Sequence, residues 1–403
     1  MSIWYDPIGL IESSLTTLFL SWGFSAEITR IVIYILGGFT LATGAMIFVT
    51  FLIWLERKVI GRMQDRLGPN RVGPFGIFQS IADMLKIFTK EYITPAGADL
   101  VAYNLAPILS VAGVLMIWAV MPLGLTFLGV NLNMGVLYII AAGAIGEIGV
   151  VLAGWGSNNK FALLGAFRAI GQLISYEVPM MITLMIPIMF SGSLGLNDIV
   201  KAQSIWFVAL APVAGAIFFI TQVAEIGRSP FDLIEADSEI VAGFNIEYSG
   251  LKFGMFFVAE FLHAFTAAAL FVVLFLGGWQ GPLAEKYPLL GVFYTSIKTS
   301  LVYFVIIWMR GSLPRFRMDQ MMDVNWKLLT PMALATIMAT AVVDKLTANG
   351  QIASRIGALW LANIVIIIFT LRYLRSFSQR RRRPLVVPNA SGVIHETTGE
   401  VIS

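Results

Sequence analysis

Long apolar runs, each about the length of a bilayer crossing, recur along the chain and are separated by short polar segments. A spanning helix needs about 20 mostly apolar residues. Nine stretches meet that condition: 30–55, 103–124, 134–155, 169–190, 205–225, 254–277, 289–310, 328–346 and 355–375. The eighth is the weakest, because its apolar core ends near Val343, before Asp344 and Lys345. Residues 8–20 read as a short helix lying on the membrane, and Met1 to Glu27 lacks the basic start of a secretory signal. A different pattern follows Pro74. Ile77, Phe78, Ile81, Met84, Leu85 and Phe88 fall on one helical stripe, with Gln79, Asp83, Lys86 and Lys90 off it. This predicts an amphipathic helix along the membrane face. The expected fold class is an all-α polytopic membrane protein of about nine transmembrane helices, with an amphipathic interfacial helix on the inner face. An outer segment 1–29 precedes a single helical membrane domain, 30–378, with inner loops 56–102, 156–168, 226–253 and 311–327. A basic, then polar tail occupies 379–403.

Composition narrows the function classes. The 403 residues are 58% hydrophobic and 13% charged, against roughly 25% charged in soluble domains. An ordinary soluble enzyme, a nucleic-acid binder and a disordered chain are excluded. The chain has no cysteine, hence no disulfide, cysteine-ligated iron–sulfur cluster or thiol nucleophile. Its only histidines are His263 and His395, too few for a transmembrane haem pair. The side chains are therefore expected to hold no redox centre and no metal.

Orientation follows from lysine and arginine. If the first span ends inside at Glu56, 21 of the 27 basic residues lie on the inner side, five lie outside, and Lys298 falls within the seventh span. This places the N-terminus outside and the C-terminus inside, with the Arg380–Arg383 run at the inner leaflet, where anionic lipid would hold it.

The inner loops carry unusual charge. In the first, Asp83 sits mid-helix near acyl chains, where a carboxylate is costly without a partner or a task. The second, 224–250, gathers Glu225, Asp232, Glu235, Asp237, Glu239 and Glu247 around the single Arg228, threaded with Phe231, Leu233, Ile234, Ile240, Val241 and Phe244. A merely solvated acidic loop would not need that apolar content. The third, 310–327, returns Arg310, Arg315 and Arg317, either as plain lipid-surface charge or as neutralising partners for the second loop. Within the spans stand Glu147, Glu177 and Glu260, with Glu225 at an inner end. An ionised carboxylate at mid-membrane costs at least ~2.5–3.5 kcal/mol. Each is either statically paired or part of a proton relay. Lys298 is a counter-ion or a relay member, and His263, three residues from Glu260, is expected to hydrogen-bond it. A single Glu-x-x-His lacks the second copy a di-metal bundle needs.

The stretches ERKVIGRMQDRLGPNRVGPFG (56–76), ADMLKIFTKE (82–91), GWGSNNKFALLGAFRAIGQLISYEVP (154–179), EIGRSPFDLIEADSEIVAGFNIEYSG (225–250) and PRFRMDQMMDVNWK (314–327) resemble, in order and spacing, the membrane H subunit of respiratory complex I, the NADH:quinone oxidoreductase (its mitochondrial counterpart is numbered 1). The similarity covers roughly 30–345. It implies a place where the peripheral and membrane arms meet, with the inner loops forming part of a quinone tunnel. Glu56, Arg57, Asp83, Arg228, Phe231, Asp232, Glu235, Asp237, Glu239 and Glu247 match the tunnel and its coupling loop. Glu147, Glu177, Glu225 and Glu260 match the carboxylates of the family's proton path, and Lys298 sits where the family has a lysine. The implied partners are the peripheral subunit holding the last iron–sulfur cluster, the peripheral subunit of the quinone cavity, small adjoining membrane subunits and the lipid bilayer. The implied substrate is a quinone, ubiquinone or menaquinone, with no bound cofactor. The implied location is a prokaryotic cell membrane. Two departures stand out: Asp237 where the family usually has Glu, and Met318 where it usually has Tyr.

Other functions remain open on the sequence. One is the equivalent subunit of a related complex with another electron donor. A stand-alone ion transporter would call for internal repeats, which are not found. A structural anchor for the peripheral arm would leave the intramembrane carboxylates without a task.

Overall fold

The computed structural model describes residues 7–234, 240–347 and 352–381, all helices, turns and loops. The helices are α1 (Pro7–Ser21), α2 (Ala26–Met63), α3 (Gln79–Thr89), α4 (Leu100–Trp118), α5 (Gly135–Gly156), α6 (Lys160–Ser191), α7 (Leu196–Ala202), α8 (Phe207–Leu210), α9 (Pro212–Glu225), α10 (Gly250–Phe275), α11 (Pro288–Ser312), α12 (Met318–Val324), α13 (Thr330–Thr347) and α14 (Ile352–Arg381). Packing divides the chain into two units, Met1–Ile337 and Met338–Ser403.

Eight of the nine expected spans are helices long and apolar enough to cross a membrane. The all-helical polytopic class is therefore observed. The eighth is continuous because α12 runs through a π-helical turn, Asn325–Leu329, into α13. The fifth differs. Residues 205–225 form not one continuous helix but the single turn α8 and the 14-residue α9. The break is at Ala211, which takes φ −133° and ψ 70°. The ring of Pro212 disfavours helical backbone in the residue before it. At 1.5 Å per residue, α9 reaches only about 21 Å.

The buried axis of the first unit is α10, whose last two turns are almost wholly enclosed. Around it pack α4, α11, α2 and α9. Between α4 and α5 the backbones touch through small residues. A Cβ on Gly113 would lie 2.6 Å from the Gly146 nitrogen, and one on Gly149 would lie 2.8 Å from the Ala106 carbonyl. Without a hydrophobic drive between helices in lipid, such close approach is what holds them.

The turn residues of the first inner loop have a definite task. Gly76 adopts φ +76°, and a Cβ there would lie 2.2 Å from the Pro69 carbonyl. The Trp54 indole donates to the Phe75 carbonyl at 3.2 Å. The loop is thus folded back against α2 before α3 begins.

Candidate functional site

The site is built where α2, α9, α10 and α11 end or pass on one side of the bundle. Ile226 N–H donates to Gln222 O at 3.1 Å and Gly227 N–H to Ala224 O at 3.1 Å, closing α9. Gly227 takes φ +72°, a left-handed cap suited to glycine. The turn sends Arg228 back into the protein, where it is 1% exposed.

Arg228 meets Glu56 of α2, itself 3% exposed, through a direct hydrogen-bonded ion pair. Arg310 of α11 binds the other oxygen of Glu56, and the Tyr303 hydroxyl donates to Glu56 at 3.4 Å. Arg228 Nη2 stands 3.5 Å from Glu260 Oε1 of α10. Its guanidinium carbon lies 4.6 Å from the Phe261 ring centre. Burial works against the Arg228 charge, but Glu56 and Glu260 outweigh it and raise its pKa above the ordinary value. Even so, Arg228 Nε and Nη2 are buried without a hydrogen-bond partner. Four elements distant in sequence thus share one charged network.

That network borders a cavity of about 120 Å³, whose lining includes Arg228, Asp232, Glu260, His263, Glu225 and Glu147. A second cavity of about 40 Å³ is lined among others by Glu147, Glu177, Gln222, Glu225 and His263. Glu147, Glu225 and His263 line both. A water needs roughly 10–15 Å³ of such space and two to four polar partners, and both cavities offer this. Gln222 donates to Glu225 Oε2 at 3.1 Å. His263 Nε2 stands 3.9 Å from Glu225 Oε1. The expected hydrogen bond from His263 to Glu260 is not formed. Three residues apart on one helix, the two side chains are turned toward different neighbours, one to α9 and one to Arg228.

The outer rim is a second, more exposed set. Arg57 binds Asp83 at 2.7 Å, Lys86 lies 3.6 Å from it, and Gln79 donates to it at 3.4 Å. Partial burial works to raise the Asp83 pKa, but Arg57, with Gln79 and Lys86, outweighs it and holds the carboxyl below the usual range. Arg315 binds Asp232 at 2.8 Å, and Phe316 N–H donates to Pro230 O at 2.9 Å. The third inner loop therefore meets the second, and one of its arginines, Arg315, pairs with one of the acids, Asp232. Phe231 is buried between Tyr176 and Phe316. Glu247 is held by Asn159 at 2.6 Å, beside the stacked pair Tyr103 and Tyr248. Glu235, Asp237 and Glu239 lie outside the described residues.

Of the expected intramembrane groups, the four glutamates are brought together and Lys298 is not. It lines neither cavity. Its ammonium instead donates to the carbonyls of Leu276, Gly278 and Gln280.

A family model described as NADH dehydrogenase matches residues 37–341. The NADH-quinone oxidoreductase H subunit of Geobacillus sp. (strain WCH70) is 45% identical over 320 residues, 79% of this chain and 96% of that protein. The chain belongs to the family of NADH-quinone oxidoreductase H subunits. The H subunit of Dehalococcoides mccartyi (strain CBDB1) is 46% identical over 296 residues, 73% of this chain and 82% of that protein. H subunit 2 of Geobacter sulfurreducens is 47% identical over 303 residues, 73% of this chain and 91% of that protein. The chain is accordingly a membrane subunit of complex I, and other complex I subunits are its partners. The residues matched by the family model include every site residue named above, while α1 and α14 lie beyond them.

Sequence reasoning missed Tyr303, Gln222 and Gln172 in this complex I site. Gln172 is fully buried and donates to Ala224 O at 2.7 Å and Phe231 O at 2.9 Å, tying α6 to the end of α9 and the loop after it. Each is a polar side chain inside an apolar run, which was the available signal.

Proposed function

We propose that this chain is the quinone-facing, proton-coupling subunit of its complex. The observation that carries this reading is the pair of cavities sharing Glu147, Glu225 and His263. They join Glu177 at one end to Glu260, Arg228 and Asp232 at the other. Water in these cavities would connect carboxylates that do not touch one another, as a relay requires. The inner loops, with Glu56, Arg57, Asp83, Arg228, Phe231, Asp232, Glu235, Asp237, Glu239 and Glu247, form part of the tunnel that admits the quinone head, ubiquinone or menaquinone. The partners across that tunnel are the peripheral subunit holding the last iron–sulfur cluster and the peripheral subunit of the quinone cavity. Small membrane subunits receive the protons sideways. No bound cofactor belongs to this chain.

The coupling follows from electrostatics. Reduction of a quinone beside the second loop draws protons and changes charge next to Asp232 and Arg228. Glu260 pairs with Arg228, so its proton affinity depends on that charge, and the change passes on to Glu225, Glu147 and Glu177. The excess of basic residues on one side supports an orientation with these loops on the cytoplasmic side of a prokaryotic cell membrane and the N-terminus outside. The bare anchor is disfavoured because it would leave four carboxylates lining cavities at a cost and without use.

The test is Glu177→Gln in the assembled complex. Quinone reduction and proton translocation are both expected to fall, by about tenfold or more for loss of a relay group. Full coupled turnover in an assembled Glu177→Gln complex sinks the relay. Arg228→Ala separates the tunnel from the scaffold: the reading requires weaker quinone or inhibitor binding in complex that still assembles.

A further inference from the structure

We infer that Lys298 is a positioning residue, which pins the exit of α10 through backbone carbonyls, and is not a proton carrier. The tunnel and the carboxylate path account for the inner half of the bundle. Lys298 belongs to neither, yet it is a half-buried cation inside a span, which lipid makes expensive.

Its surroundings explain the expense. After Phe275 the chain leaves α10 through Gly277 and Gly278, at φ +73° and +44°. This backbone is open to glycine and strained for other residues. The turn aims alternate carbonyls at one point. Lys298 Nζ donates to Leu276 O at 2.9 Å, Gly278 O at 3.0 Å and Gln280 O at 2.9 Å. An ammonium has three N–H donors, so all are used. Among the described residues it has no carboxylate partner. Irregular backbone at membrane depth must have its polar groups satisfied within the protein. A cation at a helix C-terminus also complements the helix dipole.

The same exit is held from the other side without any titratable group. Gln203 Oε1 accepts from Gly277 N–H at 2.8 Å, and Gln203 Nε2 donates to Val273 O at 2.8 Å. The Trp279 indole donates to Asn197 Oδ1 at 3.1 Å. Lys298 and Gln203 thus clamp one turn between α11 and the α7–α8 segment. Releasing a proton would leave a nitrogen lone pair facing a carbonyl oxygen, so the geometry opposes a shuttle. What the clamp does for function acts through α10. That helix carries Glu260 and His263, and fixing its end fixes their height and rotation.

The purified complex carrying Lys298→Met or Lys298→Arg, beside Gln203→Leu, tests this. Arginine cannot give up a proton near neutral pH but can donate to carbonyls. Amide exchange at 276–280 should rise about tenfold or more in Lys298→Met and in Gln203→Leu, the loss of one or more buried hydrogen bonds. In Lys298→Arg it should stay within about threefold of the parent. Proton translocation should follow the same order, retained in Lys298→Arg and reduced in the other two. Unchanged exchange in Lys298→Met overturns the clamp. Translocation lost in both lysine variants but intact in Gln203→Leu makes Lys298 a carrier and overturns the inference. The translocation arm rests on the proton-path reading and the exchange arm does not, so failure of that reading leaves the clamp independently tested.

Discussion

The two ends of α10 solve the problem of charge in a membrane protein in opposite ways. Near its inner half, Glu260 joins Glu56, Arg228 and Arg310, charges balanced against charges beside a cavity of about 120 Å³. Two nitrogens of Arg228 still lack a hydrogen-bond partner there. At the exit, the single charge of Lys298 is saturated by three carbonyls. A network of ionisable partners with spare donors and room for water can be rearranged by one proton or one ligand. A cation whose every donor is spent on backbone can only hold. The comparison locates the switchable end of the helix and the fixed one.

The most damaging change should fall at the inner end. Glu56→Ala takes from the buried Arg228 its hydrogen-bonded carboxylate and removes the same partner from Arg310, and breaking a buried pair from one side costs about 3–5 kcal/mol. The expected readouts are a large fall in thermal midpoint and poor recovery of intact complex. Next comes Trp279→Phe at the exit, which leaves buried Asn197 Oδ1 without its donor. About 1–3 kcal/mol is expected, by the same thermal assay and with quinone affinity unchanged. If Trp279→Phe proves worse than Glu56→Ala, the contrast between the two ends fails.

The smallest effect belongs to the rim. The Arg57–Asp83 pair is partly exposed, with side-chain exposures of 47% and 32%, so Asp83→Asn should cost only about 0.2–1 kcal/mol. Its pH dependence sharpens the picture. The folded pKa of Asp83 lies below the ordinary carboxylate value. Its contribution is therefore present above that ordinary value, about 3.9, and is lost as pH falls through the folded one. Parent and Asp83→Asn complexes should differ at neutral pH and converge in acid. A difference that grows in acid would contradict the assignment.

Much of this molecule can be read before its structure. Eight spans, the amphipathic α3 and the carboxylates worth attention all follow from local pattern, because lipid enforces helix length and apolarity residue by residue. The fifth span escapes such a reading because hydropathy averages over the Ala211–Pro212 step, where the break lies in backbone sterics. The cost of Asp83 in its helix signals a partner, and Arg57 supplies it from 26 positions away. The expectation for His263 fails because spacing along one helix says which groups share a face, not which neighbouring helix that face meets.

The sequence by itself determined the family, the helical class and the near absence of redox ligands, since composition and ordered motifs are properties of the chain alone. Only the tertiary structure decided that Glu56 pairs with Arg228, 172 positions away, and that Lys298 faces carbonyls and not a glutamate. Those pairings depend on the rotation and height of each helix. How closely two helices fit is likewise decided in three dimensions, as where Gly113 meets Gly146 and the absence of a side chain brings α4 and α5 together.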